Sequence, residues 1–224
     1  MPNHISNEII IHSDNYQEAL AFIRTDAVDG RGEKYTRHFD FNKIKPMPEE
    51  LNIESSARAK SAHILYMQMN NIVIQPKYDY GPLDYHFLER DRDSYDMSIG
   101  SEMYELGKQV HINWTKYGYP NWYEWSYANW GTKWNAYETK YTSERSVYFE
   151  SAWSSPIDIV ESFIQKFKLT CTYRAICEGS CLWFIREYEN GNLISVRNKL
   201  DEDHKQLYID LRGYDPDAED EDEE

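Results

Sequence analysis

The chain has 224 residues, 41% hydrophobic, 15% aromatic and 28% charged, with 39 acidic against 24 basic side chains and a net charge of −15. That length fits one domain with an insertion or two small ones, with enough apolar residues for a real core. The acidic balance argues against a broad basic nucleic-acid-binding face, and no run approaches the length of a transmembrane helix.

The last ten residues, DPDAEDEDEE, hold eight of the acids, and without them the net charge is still −7. Such a surface favours a basic partner protein or simple solubility. Cys171, Cys177 and Cys181 are an odd set. The N-terminus MPNHISNEII has no basic segment followed by an apolar one. The expected compartment is a reducing cytoplasm.

In chain order, NEIIIHS (7–13) reads as a buried strand. Asp14 reads as an N-cap with Gln17 three residues on, followed by Tyr16, Ala19, Leu20 and Ile23 at helical spacing. RHFDFNKIKPMP (37–48) reads as a second strand ended by Pro46 and Pro48. Residues 49–72 read as a helix, and 73–100 as an insertion loop. Ser101 would cap the next helix, whose face is Met103, Leu106, Val110, Trp114 and Tyr117, with Gly118 as its stop. Asn121 and Glu124 resemble a capping box for a short helix ending at Gly131.

Ser146–Trp153 reads as a strand, and Ser155-Pro156 as a helix start with an apolar stripe of Ile157, Val160, Ile164 and Phe167. Three strands follow, 169–177, 181–188 and 193–197, joined by Gly179-Ser180 and Asn190-Gly191. The Asn-Gly pair is the strongest hairpin signal in the chain. Residues 201–212 read as a last helix. This order predicts an α+β sandwich with helices on one face of a mostly antiparallel sheet.

The segments MPNHISNEIII, FDFNKIKPMPEEL, YGYPNWYEWSYANWGTKWNAY, FESAWSSPIDIVESF and YENGNL carry a resemblance, in which NWGTKWNA and AWSSP are the specific boxes. Together the chain resembles the YubB-type, or Api92-like, phage and plasmid proteins over 1–51 and roughly 115–195. The resemblance implies a ferredoxin-like core and a mobile-element origin. It brings no catalytic residues, because that family is largely uncharacterised. The expected organisation is a ferredoxin-like domain split into 1–48 and 146–212, a helical and aromatic insertion at 49–145, and a disordered acidic tail at 213–224.

YGYPNWYEWSYANWGTKWNAY (117–137) holds four of the seven tryptophans and five tyrosines. It could be a stacking platform, with Trp130, Lys133 and Trp134 as an aromatic surface, or a set of core side chains. Capped, periodic spacing favours the core. The C-x5-C-x3-C spacing does not match a zinc site, and His38 with Asp40 is too common a pair to mark a metal. The sequence has no GxGxxG, GxxxxGK, HExxH or Ser–His–Asp signature. No enzyme activity, cofactor or metal is therefore expected.

The functional expectation is a non-enzymatic mobile-element protein of the bacterial host cytoplasm. It would bind and inhibit or modulate a basic host protein, such as a defence nuclease or effector complex. The contacts would come from Asp91, Asp93 and Asp96 in ERDRDSYD and from Asp215, Asp217, Glu219, Asp220 and Glu221 in the tail. The alternative is a nucleic-acid-binding module using an aromatic sheet face, and the third and least favoured reading is an enzyme with an unrecognised site. The aromatic content accommodates a homodimer as readily as a monomer.

Overall fold

The computed structural model describes residues 3–28, 31–72, 97–178, 182–198 and 202–213. The Gly179-Ser180 turn, Cys181, positions 73–96 and the tail from 214 onward lie outside the described residues. The chain forms two compact units, 1–46 with 126–224, and 47–125.

The first unit is built on a six-stranded antiparallel sheet. Its strands are β1 (His4–Ile11), β4 (Tyr137–Ser143), β5 (Ser146–Ala152), β6 (Cys171–Cys177), β7 (Trp183–Glu189) and β8 (Asn192–Arg197), in the order β4-β5-β1-β6-β7-β8. The first four strands of that order, with α1 (Tyr16–Ile23) after β1 and α6 (Ile157–Phe167) between β5 and β6, give the split βαβ arrangement of the ferredoxin-like fold. β7 and β8 extend the sheet at one edge. Asn190 and Gly191 take φ of 48° and 83°, the doubly left-handed pair a tight hairpin needs. A Cβ on Gly191 would lie 3.2 Å from Cα of Lys168, so the turn also requires glycine for close packing on the end of α6.

The second ferredoxin-like strand is not 37–48. Lys34–Arg37 is β3 of a small ribbon with β2 (Thr25–Val28), and Phe41–Ile44 is a helical turn, α2. The Asp40 carboxylate accepts from the Asn42 N–H and caps that turn. Phe39 and Phe41 are both fully buried, as two residues on one face of a strand would also be, so it is the capped turn and not their burial that separates this segment from a strand. The strand's place is taken by β4, so the sheet unit resumes at Ser126 rather than after 145.

α6 buries Ile159, Val160, Phe163 and Ile164, a stripe rotated from the expected one, and Phe22 of α1 meets its Phe167 at 5.2 Å. The core beneath is aromatic. Phe39 stacks on Phe149 at 4.6 Å and meets Phe163 at 5.6 Å, while Phe41 contacts Phe149 and Trp130. Helix α7 (Glu202–Arg212) lies on the opposite face, where Leu207 and Tyr208 cover Ile176, Trp183 and Ile185. Helices therefore flank both faces, because β7 adds apolar surface that α1 and α6 do not reach.

In the second unit, α3 (Ala57–Met69) pairs with α4 (Met97–Tyr117), and α5 (Trp122–Trp130) begins there. Ser56 caps α3 through the Ala59 N–H. Ser101 lies inside α4 rather than at its cap. Gly107 is the close-approach point of the pair, since a Cβ there would sit 2.0 Å from the Ala62 carbonyl oxygen. Gly118 ends α4 with φ 78° and an N–H bond to Trp114. Asn121 caps α5 through the Tyr123 N–H.

Candidate functional site

β1 alternates His4, Ser6 and Glu8 toward the sheet face that α7 flanks, opposite Ala152, Glu150 and Tyr148 of β5. These residues form one polar cluster. The imidazole Nδ1 of His4 is 2.8 Å from the Tyr137 hydroxyl and 3.3 Å from the Glu150 carboxylate. Tyr148 donates to Glu150 at 3.1 Å and lies 3.0 Å from the Ser6 hydroxyl. Burial, followed by the nearby Glu150 charge, raises the Tyr137 hydroxyl well above its usual range. Burial also pushes Tyr148 up to about 12. Both hydroxyls therefore stay protonated, and that of Tyr148 donates to Glu150.

Beside this group, Glu8 is 5% exposed. Its carboxylate accepts from the Arg174 guanidinium at 2.6 Å and from Thr142, and Arg174 also holds Asp210 of α7 at 2.8 Å. Arg212 donates to the His4 carbonyl at 2.7 Å and ties the end of α7 to the start of β1. On this face Arg174 is thus neutralised by carboxylates and Arg212 is turned to the backbone, while the Lys140 ammonium lies 4.8 Å from the centre of the Tyr148 ring.

The two sequence boxes meet at the end of the same sheet. Thr132 Oγ1 donates to the Ala152 carbonyl at 2.7 Å, and Ser154 Oγ donates to the Gly131 carbonyl. Asn135 receives the Phe41 N–H at 2.9 Å and donates to Asp40 at 2.7 Å. Ser155 does not cap α6. Its hydroxyl joins Tyr173 and Asn7 in a buried network. Trp130, considered above as part of an aromatic surface, is 4% exposed and donates through Nε1 to the Lys45 carbonyl, so it is a core side chain. Trp134 is 38% exposed with the Lys133 ammonium 4.8 Å from its ring centre. Trp153 is 48% exposed and has φ of 71°, a conformation that costs roughly 1–2 kcal/mol for an L-residue with a side chain.

The acids singled out from the sequence, Asp91, Asp93, Asp96, Asp215, Asp217, Glu219, Asp220 and Glu221, all lie outside the described residues. The His38 ring packs tilted against Tyr141 at 4.4 Å, while Asp40 serves Asn42 and Asn135, so the two do not share a site. Cys171 is buried, and burial pushes its thiol up to about 12. Among the described residues no three His, Cys, Asp or Glu side chains gather as metal ligands would, and no helix is long and apolar enough to cross a membrane. An open groove of about 510 Å³ is lined by Tyr16, Leu20, Arg24, Asp26, Tyr141 and Glu144.

The sequence reading missed His4, Glu8, Tyr137, Tyr148, Glu150 and Arg174. The readable signal was the period-two spacing of His4, Ser6 and Glu8. The run of three isoleucines at 9–11 masked it by suggesting a strand buried on both faces.

Residues 129–224 match the model of a family described as the ferredoxin-like domain in Api92-like protein. The chain is also similar to a solved structure, that of a protein api92 from Yersinia pseudotuberculosis. The two are 9% identical with a TM-score of 0.42, over 90% of this chain and 99% of that one. No curated protein matches the chain. The fold is ferredoxin-like, and its stretch from 129 onward is similar to the ferredoxin-like domain of proteins whose function is uncharacterised.

Proposed function

We propose that this chain is a non-enzymatic protein of a phage or plasmid that docks on a basic protein of its bacterial host through an acidic surface and modulates or inhibits it. An anti-defence inhibitor is the most specific form of that reading. The observation that carries it is how the chain spends its own cations. Arg24, Arg58, Lys108, Lys116, Arg145, Arg174, Arg186 and Arg197 each lie within 4.0 Å of a carboxylate of the same chain. With 39 acids against 24 bases, the unpaired remainder is negative. A surface of that kind attracts a basic partner by steering and complementarity.

The same observation weighs against the nucleic-acid reading. That reading needs exposed aromatics on the sheet face, whereas Tyr148, the ring beneath the Lys140 ammonium, is 8% exposed, and Arg174 is held by two carboxylates. The test is a pull-down from bacterial lysate, run with and without nuclease, with the full chain beside a version ending at Tyr214. Stoichiometric recovery of one basic protein supports the proposal, and its loss on truncation assigns the tail a role. Recovery of nuclease-sensitive nucleic acid alone contradicts it.

A further inference from the structure

We infer that Trp134 and Trp153 together anchor an arginine-rich segment of the partner, an inference that rests on the acidic-docking reading above. Both indoles are exposed, whereas Trp125, Trp130 and Trp183 are buried. The segments that carry them are stitched together by the Thr132–Ala152 and Ser154–Gly131 hydrogen bonds. Ala152 pairs with His4, and the Trp153 N–H donates to the Asn3 carbonyl at 2.9 Å. Both side chains therefore leave from the same end of the sheet.

Trp153 has the clearer signature. The chain turns there in a left-handed conformation that glycine or asparagine adopts readily and a bulky aromatic does not. Fold stability alone would select a small residue at that turn. A strained backbone that presents a large exposed aromatic is the expected form of a binding anchor.

The ligand chemistry follows from charge. Lys133 already sits over Trp134, so that ring accepts a cation in this setting. Exposed Glu138 and Asp158 follow the two tryptophans in the sequence, and the net charge of −15 draws cations to the molecule as a whole. Arginine fits better than lysine, because its planar, weakly hydrated guanidinium stacks on an indole while pairing with a carboxylate.

The test titrates fluorescently labelled nona-arginine into the full chain at low salt, reading anisotropy, with nona-lysine as the charge-matched control. Nona-arginine should bind ~10-fold more tightly than nona-lysine. Trp134→Ala and Trp153→Ala should each remove most of that preference and leave nona-lysine binding unchanged. Trp153→Asn should lose the same preference while raising the thermal midpoint. Equal binding of nona-arginine by the original chain and both alanine variants overturns the anchor and leaves acidic docking standing. Failure of the original chain to bind either peptide removes the acidic-docking reading itself. A lower midpoint for Trp153→Asn assigns the indole to the fold and overturns the inference.

Discussion

The Ser155 hydroxyl lies 2.6 Å from the hydroxyl of Tyr173, and both donate to Oδ1 of Asn7, at 2.8 and 2.9 Å. Asn7 uses its amide to reach the Ile5 carbonyl and the Ser151 hydroxyl. Three strands and the start of α6 are thus joined through a site in which Asn7 and Tyr173 have no exposed surface. Buried polar networks of this kind are stabilising only while every member keeps its partner.

Removing one member should therefore be costly. Asn7→Ala strands the two donors and should destabilise the chain by roughly 3 kcal/mol, while Tyr173→Phe removes a single donor and should cost about 1–2 kcal/mol. Urea unfolding followed by tryptophan fluorescence checks both values.

Gly107 inverts the usual helix rule. Alanine in a helix interior is ordinarily better than glycine by about 1 kcal/mol. Here its Cβ would meet the Ala62 carbonyl, and relief requires α3 and α4 to separate. Gly107→Ala should be destabilising by on the order of 3 kcal/mol, seen as an earlier loss of helical circular dichroism on heating.

Glu8 and Arg174 should behave as a unit. The Glu8 side chain is 6% exposed and that of Arg174 21%. Arg174→Met alone leaves a carboxylate buried without its main partner and should cost about 3–5 kcal/mol, whereas Glu8→Met with Arg174→Met should cost much less than the two single changes added. A double-mutant cycle by chemical denaturation measures the coupling.

His63 gives the second unit a pH dependence. It has no exposed surface, lies 3.1 Å from His111, and is held neutral by burial and by that neighbour down to about pH 4. The unfolded chain would protonate it near 6.5. Its contribution is therefore complete above pH 6.5 and is lost as pH falls from 6.5 toward 4, by up to about 3 kcal/mol. His63→Leu should flatten the fall in thermal midpoint between pH 7 and 5, where carboxylates have not yet titrated.

The sequence was most informative where local chemistry and tertiary packing agree. Asn190-Gly191 specified its hairpin, Gly118 and Gly131 their helix ends, and the alternation of 146–152 its strand. The misread elements are those where a side chain serves a distant partner. Asp14 and Gln17 resemble a cap, yet Asn15 is at the cap position and its amide goes to the Phe167 carbonyl. Phe39 and Phe41 are spaced and buried as one face of a strand would be, yet Asp40 caps a helical turn there instead.

The dense aromatic stretch divides in the same way. Trp125 and Trp130 are core and Trp134 is surface, a distinction set by where α5 ends rather than by spacing. The polar cluster around His4 was illegible for a further reason. Its members come from β1, β4, β5, β6 and α7, and only the register brings them together.

The most direct measurement is the salt dependence of binding between this chain and the purified basic protein recovered from lysate, with the original chain beside one in which the eight tail acids are replaced by their amides. If acidic docking is correct, affinity falls steeply between ~50 and ~500 mM salt, and the amide variant binds more weakly with a shallower slope. Affinity that is insensitive to salt and identical for the two chains would contradict it.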